Sequence, residues 1–229
     1  MNKISAAAVV FTFLLLGGMG CSSVDDDEQY ADGNHYGVRR GIKVIHKKMF
    51  KNPERLSNLT IPSSVTKIES EAFMDCVNLT TITIPKSVTS IGEFAFAGCN
   101  SLTVIVIPDS VKSIGKYAFS GCRNLTSVTL PKHLKTIEEC TFWNCGNLET
   151  ITIPNSVTTI ERGAFWECRK LANLTIPYSV TAIEAEAFQF CMNLRNLRIP
   201  KTVKSIERGA FLFAGCEEQV KLDYPDLYK

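Results

Sequence analysis

The sequence predicts a solenoid of stacked 23-residue coils, with a parallel β-sheet along one side and short second strands and single helical turns completing each coil. Two observations predict it. Seven Ile-Pro or Leu-Pro pairs, beginning at Ile61, Ile84, Ile107, Leu130, Ile153, Ile176 and Ile199, each fall 23 residues after the last. Apolar columns repeat in the same register, as in Val65, Val88 and Val111, in Ile68, Ile91 and Ile114, and in Phe73, Phe96 and Phe119. A unit this short cannot bury its own apolar face, so the core has to come from stacking.

Each element of the coil follows from one repeat. Residues 79–84 alternate from Thr81 onward, placing Ile82 and Ile84 inward and Thr81 and Thr83 outward, as a half-exposed strand requires. Pro85 ends that strand because it has no N–H to give to a ladder. Ser87 suits the turn that follows. A second short strand is expected over residues 88–91, then a helical turn holding Ala95 and Phe96.

The frame also extends to both ends. Ile42, Ile45, Phe50, Leu56 and Leu59 stand 23 residues before column members, which makes residues 38–61 a degenerate first repeat. Full repeats cover 62–225, the last with two extra residues around Leu212 and Phe213, after which Tyr224 and Pro225 recover the Ile-Pro position. The repeat domain is therefore 38–229. Its unit, Leu-x-x-Ile-x-Ile-Pro-x-Ser-Val-x-x-Ile-x-x-x-Ala-Phe-x-x-Cys-x-Asn, resembles the BspA-type leucine-rich repeat, with departures at His133, Leu134 and Thr141. The resemblance implies a leucine-rich-repeat solenoid and a cell-surface interaction module, in a family that includes adhesins binding host or neighbouring-cell proteins.

Residues 1–20 read as a secretory leader: Lys3, an apolar run over 4–16 too short to span a bilayer, then Gly17, Gly18, Met19 and Gly20. The junction with Cys21 resembles a bacterial lipobox, which makes Cys21 the lipidation site; an ordinary cleaved leader is the alternative. Residues 21–37 read as an acidic tether around Asp25, Asp26, Asp27 and Glu28. This run resembles the acidic export signal of surface lipoproteins of the Bacteroidetes. It implies an exported, outer-membrane lipid-anchored protein at the cell surface, with periplasmic orientation as the alternative. Contact with the membrane is through the lipid alone.

The remaining chemistry points away from catalysis. Net charge is +2, which gives no global attraction to nucleic acid. Cys76, Cys99, Cys122, Cys145, Cys168 and Cys191 recur every 23 residues, continued by Cys216, and read as small buried hydrophobes; Cys140 stands apart and is free to pair or react. No close Cys or His pairs suggest a metal site, no cofactor motif appears, and no nucleophile sits beside a base. Glu138, Glu161, Glu184 and Glu207 share a column that reads as a solvated edge, relieved by Arg162 and Arg208.

The outward strand positions form the candidate binding face: Thr81, Thr83, Val104, Val106, Ser127, Thr129, Thr150, Thr152, Asn173, Thr175, Asn196 and Arg198, preceded by Asn58 and Thr60. A threonine ladder chosen for strand propensity explains the same residues. The face lacks the aromatic anchors of tight interfaces, but it carries an apolar spot at Val104 and Val106. A cationic group, Arg195, Arg198, Lys201, Lys204 and Lys221, would suit an acidic protein segment or sulfated glycan. The function read from the sequence is protein binding or adhesion, with a structural envelope component or a glycan-binding surface protein as alternatives.

Overall fold

Alternation of apolar and polar residues over so short a span makes strands of only two or three residues, two to a coil. The computed structural model describes residues 31–32, 35–36, 38, 40–47, 49–50 and 52–226; the leader, Cys21 and the acidic run lie outside the described residues. The first strands are Asn58–Thr60, Thr81–Thr83, Val104–Val106, Ser127–Thr129, Thr150–Ile151, Asn173–Thr175 and Asn196–Arg198. Second strands run from Val44–Ile45 through Lys67–Ile68, Ser90–Ile91, Ser113–Ile114, Thr136–Ile137, Thr159–Ile160 and Ala182–Ile183 to Ser205–Ile206. Pairing between coils is parallel and joins residues 23 apart, as Ser127 to Thr150 and Ile160 to Ile183. The corner between the strands is a turn closed by the Val65 N–H on the Pro62 carbonyl at 3.0 Å, repeated at Val111 and Pro108 at 3.0 Å.

The expected single sheet is divided. Its strands form three hydrogen-bonded groups, with breaks between Thr81–Thr83 and Val104–Val106 and between Thr150–Ile151 and Asn173–Thr175. Second strands form two groups of four. Strands this short hold each other with few bonds, so local twist is enough to open a pairing.

The segment read as a helical turn supplies the continuous ladder. Within each coil, alternate residues make tight turns, such as Met74 N–H to Glu71 carbonyl and Cys76 N–H to Phe73 carbonyl, both at 3.2 Å. The residues between them donate forward to the next coil: Glu71 to Glu93 (2.8 Å), Phe73 to Ala95 (2.7 Å) and Asp75 to Ala97 (2.8 Å). The pattern continues coil by coil to the Phe190 N–H on the Leu212 carbonyl at 3.0 Å. Its geometry needs left-handed backbone at two columns, which run from Glu71 (φ 59°) and Asp75 (φ 57°) to Gly209 (φ 75°) and Phe213 (φ 57°).

Inside the coils, the phenylalanine column from Phe50 to Phe211 stacks ring on ring, with centroids 5.0 to 5.6 Å apart. From Phe73 onward successive rings lie within 14° of parallel, so both faces of each inner ring leave water, a favourable burial. Ile45, Phe50, Leu56 and Leu59 are buried in the same core, so the degenerate first repeat is a working coil.

Three expectations are corrected. Ala31–Asp32 and His35–Tyr36, assigned to the tether, form an antiparallel pair. The last repeat has no insertion at Leu212 and Phe213: Phe190 bonds Leu212 at the usual interval, and the Ala214 N–H on Phe211 (2.9 Å) repeats the Cys191 bond on Phe188 (3.1 Å). Ala214, not Cys216, therefore follows Cys191 in the column. The chain then enters the helix α1, Glu217–Asp223, with Val220 buried, so the segment before Tyr224 and Pro225 is helical and not a strand. The Tyr224 hydroxyl instead bonds back to the Ile199 carbonyl.

Candidate interaction surface

Because residues two apart in a strand point the same way, the first strands raise two outward columns per sheet. Thr81, Thr83, Thr129, Thr150, Thr152, Asn173, Thr175 and Arg198 are exposed there, while Ser127 is half-buried; for Asn196 only its backbone pairing with Asn173 is described. Val104 and Val106 are 49% and 58% exposed, among the few large apolar side chains on the surface. Part of the threonine ladder is tied up internally: Thr81 Oγ1 donates to Asn58 Oδ1 at 2.6 Å. Other threonines clamp coils together, as Thr80 Oγ1 on Ser57 carbonyl at 2.8 Å and Thr126 Oγ1 on Thr103 carbonyl at 3.0 Å.

The face has relief. A cleft of about 790 Å³ opens beside the valines, floored by Ile84, Ile107 and Leu130 and walled by Lys86, Asp109 and Lys132. It lies at the break between Thr81–Thr83 and Val104–Val106, where the first strands of the two coils are unpaired although their second strands pair. Asp109 takes the Lys132 backbone N–H at 2.9 Å and its ammonium at 3.3 Å, contacts that hold its carboxyl below the usual range.

Of the cationic group, Arg195, Arg198, Lys201 and Lys204 are exposed and make no ion pair among the described residues. Lys221 leaves the group: it pairs with Glu217 at 2.9 Å and Glu218 at 3.2 Å within α1.

The glutamate column proves to be structural. Glu161, Glu184 and Glu207 each accept a backbone N–H from the preceding coil, at Glu139 (3.0 Å), Arg162 (3.1 Å) and Ala185 (3.1 Å). Arg162 does not relieve this column; its guanidinium binds Glu186 through Nε at 3.2 Å and Nη2 at 3.1 Å. Burial, with the Glu161 charge second, raises the carboxyl of Glu138 above its ordinary range.

All eight described cysteines are free and buried. The column members from Cys99 to Cys191 point the thiol at a phenylalanine carbonyl of the previous coil, for example Cys122 Sγ to Phe96 O at 3.1 Å and Cys145 Sγ to Phe119 O at 3.2 Å. Burial pushes the Cys122 thiol up to about 12 and that of Cys216 to about 11. Burial also raises Cys140, the thiol that stood outside the column, which shares a hydrogen bond with Tyr117. Thiols held protonated are poor nucleophiles.

A profile of the BspA type leucine rich repeat region matches residues 43–110 and 94–219, in six copies. This chain belongs to the BspA-type leucine-rich repeat family. Among solved structures, this BspA-type chain resembles the leucine-rich repeat protein of T. pallidum at 29% identity and TM-score 0.70, covering 85% of this chain and 91% of that one. It resembles a leucine-rich repeat protein from Eubacterium ventriosum at 33% identity and TM-score 0.65, over 69% of this chain and 43% of the other. A leucine rich cell surface protein from Faecalibacterium prausnitzii aligns at 28% identity and TM-score 0.51, over 71% and 58%. Comparison with curated proteins gave no match.

Sequence reading missed two surface features of this BspA-type coil. Trp143, Trp166, Phe190 and Phe213 touch in series along the turn side, with centroids 5.1 to 6.5 Å apart. Tyr178 is 82% exposed one coil before Lys201. The signal was present, since Tyr178 stands where neighbouring repeats have Asn155 and Lys201, but it falls outside the apolar columns that define the fold.

Proposed function

We propose that this protein is an exported, lipid-anchored module of the cell surface that binds a partner protein on its sheet face, without catalysis. The observation that carries the reading is the pair Val104 and Val106, held exposed beside an apolar cleft on a backbone fixed by repeated ladders. Exposed apolar side chains grouped on a rigid face mark interaction sites. The surface location rests on the family and on the likeness to a protein described as a leucine rich cell surface protein. The lipid anchor rests on the leader and Cys21. The partner contributes the large anchors that this face lacks, and many copies on a cell add avidity to a modest single-site affinity.

The test pairs location with binding. Protease treatment of intact cells is expected to cleave the native protein, and Cys21→Ala to release it from the membrane fraction. Beads carrying the purified repeat domain are expected to capture a protein from host matrix or neighbouring-cell surfaces, with at least tenfold weaker capture for Val104→Asp combined with Val106→Asp. Protection of the native protein until lysis, or capture indifferent to both aspartates, overturns the reading.

A further inference from the structure

The cleft beside Val106 has a counterpart. A second opening of about 610 Å³ lies at the C-terminal end, floored by Ile176 and Ile199 and walled by Thr175, Tyr178, Arg198 and Lys201. These residues occupy the same repeat columns as Thr83, Ile84, Lys86 and Val106 in the first cleft, four coils further on. Both openings therefore lie on one line of repeat positions across the coils, a furrow between the outer column of the sheet and the residue after each proline, with the Ile153 coil between them.

The furrow has a definite chemistry. Its floor is apolar in both openings. On its walls Lys86, Arg198 and Lys201 make no ion pair among the described residues, while Asp109 is neutralised by Lys132. Asp223 is the acidic residue at the second opening, and Tyr178 stands over that opening with most of its ring in solvent. Apolar floors flanked by unpaired cations fit a chain that alternates apolar side chains with carboxylates. A sulfated glycan would use the cations but has nothing to place on Ile84, Ile107, Ile176 and Ile199.

The spacing follows from the stack. Four coils at about 4.8 Å each separate the two floors by about 19 Å, which an extended peptide at about 3.3 Å per residue covers in about six residues. We infer that the furrow binds an extended acidic peptide segment whose two apolar side chains, about six residues apart, seat in the openings at Ile107 and Ile199. This rests on the protein-binding reading above and names the partner's chemistry. The cations draw the segment in and fix its register, and the apolar floors hold it.

The experiment uses the full chain and a fluorescein-labelled 12-residue peptide of Asp, Glu and Ser with leucines at positions 3 and 9. Saturable anisotropy binding is expected, weakened at least tenfold by Lys86→Glu and by Arg198→Glu with Lys201→Glu. It is also expected to weaken when the leucines are made adjacent at unchanged composition. Absence of saturable binding, equal binding of the adjacent-leucine peptide, or charge variants that bind as tightly as the native chain overturns the inference. Heparin bound through the same cations with no peptide binding assigns the furrow to a glycan and overturns it as well. If the peptide fails while Val104→Asp with Val106→Asp still abolishes capture of the surface partner, the furrow assignment falls and the sheet-face reading stands.

Discussion

Gly163 shows how much a single residue of this coil is asked to do. It sits in a left-handed column that elsewhere holds Glu71, Phe94, Tyr117, Cys140 and Glu186, at φ between 51° and 61°. Such backbone costs a non-glycine residue about 1–2 kcal/mol, offset here by the forward bond to the next coil, at 3.0 Å for the Gly163 N–H on Ala185. A methyl group at Gly163 would also stand 2.9 Å from Cys140 Sγ. Gly163→Ala is therefore expected to cost about 1–3 kcal/mol, read as a lower thermal midpoint. Gly146→Ala, which meets nothing within 4 Å, is expected to stay within about 0.5 kcal/mol of native. The buried thiols carry a second prediction. Cys122 ionises near 12 in the fold and near 9 when unfolded. Between these values the unfolded chain loses a proton that the folded chain keeps. The stability this thiol contributes is thus whole below pH 9 and is lost as pH rises, by about 1.4 kcal/mol per pH unit. Denaturant titrations between pH 8 and 11 are expected to show this fall, with a shallower slope in Cys122→Ala; parallel slopes would contradict the assignment.

At the scale of elements, the strands were legible in the sequence and the strongest ladder was not. Alternation at Thr81, Ile82, Thr83 and Ile84, ended by Pro85, is a direct record of which side chains face water. The left-handed columns leave little record, because backbone bonds between coils enforce them and the side chains that occupy them range from Glu71 to Phe94 to Cys140. Only Gly98, Gly121, Gly163 and Gly209, with Asp75 and Asn144, hint at the conformation. The candidate face was legible in the same way as the strands, but its clefts were not, since both depend on the corner after each proline and the first also on a pairing break. The helix α1 was hidden by Tyr224 and Pro225, which copy the Ile-Pro pair at a point where the column residues before them are missing. Two mutations compare the ladders. Phe119→Ala opens a hole between rings stacked at 5.3 and 5.6 Å and is expected to cost about 3–5 kcal/mol. Phe50→Ala, at the end of the stack with one ring neighbour in the column, is expected to cost less. Similar losses at both positions would mean that the column does not act as a stack.

At the scale of the whole molecule, each coil touches its two neighbours, so stability is close to a sum of coil and interface contributions. Register is the condition for that sum. Removing residues 124–146 deletes one period: Val104–Val106 then faces Thr150–Ile151, Phe119 faces Phe165, and Gly121 stands where Asn144 offered its N–H to Trp166. Every column closes on a residue of the same repeat position, and the deletion also removes Cys140, so that Tyr117 meets Gly163, which has no side chain to crowd it. Removing residues 124–145 takes out nearly the same atoms but shifts every later column by one position, which in a strand turns the buried set toward solvent. The 23-residue deletion is expected to unfold cooperatively with a midpoint lowered by a few degrees, while the 22-residue deletion shows no cooperative transition. Circular dichroism melts of the two variants decide it. A 22-residue deletion that melts like the 23-residue one would mean that the coils tolerate slippage, and the fixed spacing of surface residues across them would lose its physical basis.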